Sequence, residues 1–161
     1  MSESRNWLPK LVLFEDYGND WQRYLDAVYA AFVEDFVHSR PASVLGKRLA
    51  LKRHPLRQGR EATFWHFTTE GQVEEERLPD LRRCERIRWP RATIEAEESL
   101  VYRWSNKRGS DTRILLALDD FSYVVVLADR GDYVLPWTAY TVEREHRREK
   151  LRREYEEFQK S

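Results

Sequence analysis

The sequence predicts an α+β domain: an N-terminal amphipathic helix, a four-stranded antiparallel meander sheet and a charged C-terminal helix. Three observations carry that prediction. Apolar and aromatic residues recur at helical spacing through DWQRYLDAVYAAFVEDFVHS. Four β-rich runs, at 100–105, 113–118, 122–127 and 133–140, are separated by NKRGSD, DDF and ADRGD, which are turn compositions. The last stretch, VEREHRREKLRREYEEFQKS, sets a narrow apolar stripe among dense charge.

In the first helix Trp21, Tyr24, Leu25, Val28, Tyr29, Phe32 and Phe36 form the apolar stripe, while Asp26, Glu34 and Asp35 lie off it. Asn19 or Asp20 is the expected N-cap, and Arg40-Pro41 the stop, because a residue before proline avoids the α region. SVLGKRLALKRHP and ATFWHFTTEG then read as two short extended segments around a QGR turn. Pro79 opens a helical PDLRRCERIRW, proline being acceptable at the first helical position. Pro90 interrupts that pattern, and a second short piece continues through RATIEAEES. The short connections between the four later runs favour an antiparallel meander. In the final helix Leu151, Tyr155 and Phe158 make the stripe, and Glu149 and Arg153 are spaced to pair. That charge predicts a surface helix over 143–161.

A length of 161 residues fits a single domain over 1–161, and the high aromatic content fits a packed one. No apolar run reaches the roughly 20 residues of a membrane helix, and MSESRNWLPK lacks the pattern of a secretory leader. A cytoplasmic protein that does not enter the membrane is expected. The single cysteine, Cys84, excludes an internal disulfide. Net charge is zero, but its distribution is uneven. Positions 36–60 hold no acidic residue, yet include Arg40, Lys47, Arg48, Lys52, Arg53, Arg57 and Arg60. Such blocks place a positive face within a neutral total.

Of the four histidines, His146 falls on the charged helix, His38 at a helix end and His54 in a basic loop. His66 differs, because it sits in TFWHF with no other ionisable group between Glu61 and Glu70. Apolar neighbours orient an imidazole and tune its proton affinity. No HExxH or HxxxH spacing occurs, and Glu74, Glu75, Glu76, Asp119 and Asp120 fall in solvated runs, so neither a metal nor another cofactor is expected. No GxSxG turn is present, and LGK at 45–47 lacks the rest of a phosphate-binding loop. What remains is a histidine, many arginines, aromatic rings and hydroxyls beside an antiparallel sheet. That set suits RNA cleavage without metal, in which the ribose 2′-OH attacks its own phosphodiester. Such a reaction needs a base, an acid and cations for the developing charge. Alternation puts Thr138 and Tyr140 on one face of the last strand, with Trp137 and Ala139 opposite.

DYVLPWTAYTV resembles the last-strand signature of the barnase/EndoU/colicin/RelE-like (BECR) endoribonucleases, phage and polymorphic-toxin members above all. Those often end this strand in a T-A-Y-P-like motif, where the present chain has Thr141 in place of proline. TFWHF, RLPDLRRCERIRWPR, RWSNKRG and LDDFSYVVVLADRGDYVLPWTAY extend the resemblance over about 45–142. It implies an N-terminal helix followed by a four-stranded antiparallel sheet, metal-independent cleavage of RNA, and a toxin or defence effector of a phage or mobile element. It further implies His66 as the acid/base, Thr138 orienting the phosphate, and Tyr140 supporting it or stacking a base. Arg86 and Arg108 are the favoured charge stabilisers. Lys52, Arg53, Arg88, Arg103 and Lys107 are the expected RNA contacts. RNA, tRNA included, would be the partner, with a neutralising antitoxin as a second. Two other readings stay open: a non-catalytic RNA- or protein-binding module on the same scaffold, and an adaptor using the C-terminal helix.

Overall fold

The computed structural model describes residues 5–161. Helix α1 (Trp21–Phe32) starts at Asp20, whose carboxylate accepts the Arg23 amide at 3.2 Å, and runs into a π-helical turn over Val33–Val37. Tyr24, Val28 and Phe32 of the expected stripe are fully buried. The chain then forms a hairpin of β1 (Ser43–Val44) and β2 (Lys47–Leu49). Its two-residue turn, Leu45-Gly46, has positive φ at both positions, the conformation of the tight hairpin turns.

ATFWHFTTEG is not extended. Its core is helix α2 (Ala62–Thr68), every residue of which is buried. A short, continuously apolar run has no exposed side to betray its period, so spacing alone cannot separate buried helix from buried strand. The chain leaves α2 into β3 (Thr69–Glu70), which pairs with β4 (Leu78–Pro79). Pro79 therefore ends a strand. The following helix, α3 (Leu81–Glu85), is capped by Asp80, which accepts the Arg83 amide at 3.2 Å. Helix α4 (Trp89–Glu95) follows, with Pro90 in its first turn.

The four later runs are β5 (Val101–Arg108), β6 (Asp111–Leu118), β7 (Tyr123–Asp129) and β8 (Tyr133–Thr141), joined as an antiparallel meander. The sheet nevertheless has six strands, ordered β1-β2-β8-β7-β6-β5. β2 adds to β8 in parallel through Arg48↔Tyr133 and Leu49↔Val134. Strands of two and three residues carry too little alternation to be read from sequence. The meander is therefore part of a larger, mixed sheet rather than the whole of it.

Each face of the sheet has its own core. Helix α1, the π-helical turn and α2 pack Phe32, Phe36, Phe64 and Phe67, and α3 adds Cys84, against Leu116, Val125, Leu127 and Val134. On the other face, α5 (Glu145–Lys160) packs Leu151 and Tyr155 against Trp104, Phe121, Val124 and Val126. The charged helix thus closes the second core, and Glu154 fastens it by accepting Trp104 Nε1 at 2.6 Å and Asn106 Nδ2 at 2.9 Å.

The pairing of β7 with β8 slips by one residue. Val126 faces Thr138, but Leu127 faces Pro136, so Trp137 is an extra residue in a β-bulge. Proline suits this position, because it brings no amide to the interrupted ladder. Among the described residues, no helix is long and apolar enough to cross a membrane.

Candidate functional site

Beyond its two pairs with β2, the edge of β8 is met by α2 and α3 rather than by another strand. There a cleft of about 990 Å³ opens between the end of α2, the β3–β4 loop, α3, β8 and the start of α5. His66, Thr138, Tyr140 and Arg108 line it together, although they come from separate elements.

His66 is held on two sides. Its Nε2 lies 3.0 Å from Glu74 Oε1, and its ring meets that of Trp137 edge-on at 5.2 Å between centroids. The carboxylate fixes the proton on Nε2 and leaves Nδ1 as the basic atom. Burial lowers the proton affinity of the ring, the Arg77 cation lowers it further, and Glu74 opposes both only in part. The imidazole is consequently neutral at neutral pH, the form that accepts a proton.

Thr138 is fully engaged inside the fold. Its hydroxyl donates to the His66 carbonyl at 3.2 Å and accepts from Arg83 Nη1 at 3.1 Å. Its one proton is therefore already placed, and Thr138 positions its neighbours rather than donating to a ligand. The same Arg83 nitrogen donates to the carbonyls of His66 at 3.0 Å and Thr69 at 2.6 Å, while Arg83 Nε lies 3.4 Å from Asp80. One guanidinium thus ties the end of α2 and the start of α3 to β8. Tyr140 lies under it, with Arg83 Cζ 5.8 Å from the ring centroid. Burial raises the affinity of the Tyr140 hydroxyl for its proton, so it stays protonated and able to donate.

The cleft is polarised. Glu70, Glu74 and Asp80 stand on the α2–α3 side, where Glu70 is held above the usual carboxylate range by its hydrogen bond with Asp80. Arg108, Arg113, Arg144 and Arg147 stand on the sheet and α5 side. Among the described residues none of these four has a carboxylate partner, and Arg113 donates only to Asn106, at 3.2 Å. Burial and then the neighbouring Arg108 cation lower the proton affinity of Arg113. Like charges gathered in one wall, with Arg113 half-buried and the other three exposed, are relieved by an anion, and a guanidinium fork matches two phosphate oxygens.

The remaining expected residues stand apart from the cleft. Arg86 donates to Arg82 and Glu85 and lies over Trp89 at 4.9 Å, towards the sheet's other face. Arg88 pairs with Glu34 at 2.7 Å and Asp35 at 3.1 Å, and Arg103 with Glu98 at 2.7 Å. Arg53 lies 3.6 Å from Glu61, Lys52 bonds Thr63 through its backbone, and Lys107 is exposed on β5. In their place stand Arg77, Arg83, Arg113, Arg144, Arg147 and Glu74. Arg113 shares its face of β6 with Leu115, two residues on and packed under α5, and EREHRREK follows directly on the last strand; only the latter placement was open to sequence reading. Nothing local distinguishes Arg83 from Arg82.

No protein-family model, no curated protein and no solved structure matches the chain. Among the described residues, no group of three or more His, Cys, Asp or Glu side chains is arranged to hold a metal ion.

Proposed function

We propose that the protein is a metal-independent endoribonuclease of the BECR type, acting in the cytoplasm as a phage or mobile-element effector. The observation that carries this reading is the meeting of a neutral, oriented histidine with unpaired arginines and a protonated tyrosine in one cleft. His66 Nδ1 takes the proton from the ribose 2′-OH. The 2′-oxygen then bonds to phosphorus, and the bond to the 5′-oxygen breaks. Tyr140 gives its proton to that departing oxygen, and Arg113 and Arg147 hold the charge on the non-bridging oxygens. The products are a 2′,3′-cyclic phosphate and a free 5′-hydroxyl. An antitoxin with an acidic, cleft-filling surface would neutralise such a site.

The test is incubation with mixed RNA, tRNA included, in excess EDTA, with end-group analysis of the fragments. Cyclic phosphate ends that disappear in His66→Ala support the reading, and cleavage unaffected by that substitution removes it. The commitment of Thr138 and Arg83 Nη1 to the fold favours a second reading, a binding module without catalysis. It predicts RNA binding that weakens steeply with salt and yields no fragments.

A further inference from the structure

Three aromatic side chains of β8 carry an arginine on the ring. Arg48 Cζ lies 5.2 Å from the Tyr133 centroid, Arg130 Cζ lies 6.0 Å from Trp137, and Arg83 Cζ lies 5.8 Å from Tyr140. All three rings belong to the face of β8 that carries the cleft. Val134 points into the helix-side core, so Tyr133 points away from it. Trp137 and Tyr140 pack against the core on the α5 face. Past Tyr133, Arg48 continues into a second depression, of about 420 Å³, which Arg40 and Arg53 also line. Burial and then the Arg53 and Arg48 cations lower the proton affinity of Arg40, so this end too gathers like charge. Among the described residues Arg48 pairs with no carboxylate, Arg53 has the 3.6 Å approach to Glu61, and Arg130 lies 3.3 Å from Asp111.

We propose that this face of β8 is a track for single-stranded RNA, leading from the cleft at Tyr140 past Trp137 and Tyr133 to an anion site at Arg40, Arg48 and Arg53. The inference rests on the reading of the cleft as an RNA site. Unpaired bases stack on aromatic faces and equally on guanidinium planes, so an arginine lying on a ring extends the platform. A duplex keeps its base faces hidden and gains nothing there. From Tyr133 to Tyr140 the strand rises roughly 20 Å. The track therefore holds about four nucleotides, at the short end of single-strand sites. Specificity for single strands would then come from β8 rather than from the reacting groups.

The test uses 2′-O-methyl RNA, which binds but lacks the nucleophile, with the full chain and fluorescence anisotropy as readout. A labelled octamer should bind at least about tenfold tighter than a dinucleotide, the gain expected of one good stacking contact. Arg48→Gln, at an exposed position, and Tyr133→Leu should each pull that ratio towards one, while the circular dichroism spectrum stays that of the parent. An eight-base-pair duplex should show no comparable gain. The track is overturned if the ratio survives in both variants, or if the duplex gains as much as the single strand. Absence of cleavage of natural RNA with the length effect intact would remove the nuclease and leave the track. Failure of every probe to bind would remove both.

Discussion

The hydroxyl of Thr138 donates to the main-chain carbonyl of His66 at 3.2 Å. That bond joins the last strand to the helix that carries the histidine, and Arg83 braces both partners. The consequences of the arrangement can be measured one at a time.

Thr138→Val keeps the shape but leaves the His66 carbonyl without this donor and Arg83 without this acceptor. The expected cost is about 1–3 kcal/mol in urea unfolding. Thr138→Ser, which keeps the hydroxyl, should recover most of it. Equal stability of the valine and serine variants would count against the bracing role.

Arg83→Met removes a cation that is 13% exposed and bonded to two carbonyls and a hydroxyl. A loss of about 3 kcal/mol is expected, since buried acceptors are left unmet. Arg83→Lys should recover only part, because an ammonium cannot reproduce the fork.

The pH dependence follows from His66. Its folded proton affinity lies below the ordinary value of 6.5, so between the two the unfolded chain binds the extra proton. Stability should therefore rise with pH through that window, and on acidification the loss should be complete once the folded ring is protonated too. His66→Gln should flatten this part of the curve. Glu74 raises the proton affinity of the ring, so Glu74→Gln should move the His66 titration, followed by NMR, to lower pH. A shift to higher pH would contradict the pairing.

Cleavage, if His66 is the base, should drop at least about 100-fold in His66→Ala. The acid limb of the pH–rate profile should follow the same titration that NMR reports for the ring.

Glu154→Ala should loosen α5, because Trp104 and Asn106 lose their common acceptor. About 2–3 kcal/mol of stability should go, with a change in tryptophan emission. Deleting 143–161 should be more damaging, since it uncovers the core beneath Leu151 and Tyr155 and removes Arg144 and Arg147 from the cleft.

The strongly periodic elements were legible in the sequence. The aromatic stripe of α1 and the turn-punctuated runs of β5 to β8 each repeat a pattern long enough to identify. The β1–β2 hairpin was not, because pairing with β8 depends on two residues whose partners lie far along the chain. TFWHF misled in geometry yet not in place: α2 is a helix, but its one ionisable side chain, His66, does enter the cleft. The arginines divided by tertiary context. Arg86 and Arg83 share a short helical segment, and only the direction of the helix against β8 decides which one meets Thr138.

The bulge at Trp137 has a consequence in parity. Up to Pro136 the even-numbered residues of β8 face the helices, and after it the odd-numbered ones do, so that Ala139 continues inward where Val134 began. Were Trp137 drawn into a regular ladder instead, Thr138 and Tyr140 would fall on the even phase and be driven into the apolar layer. Deleting Trp137 would heal the bulge and leave Thr138, Ala139 and Tyr140 facing as they do, at the loss of the ring that meets His66. The facing of the cleft is thus set by the looping-out of one residue, and the strand can lose that residue without inverting.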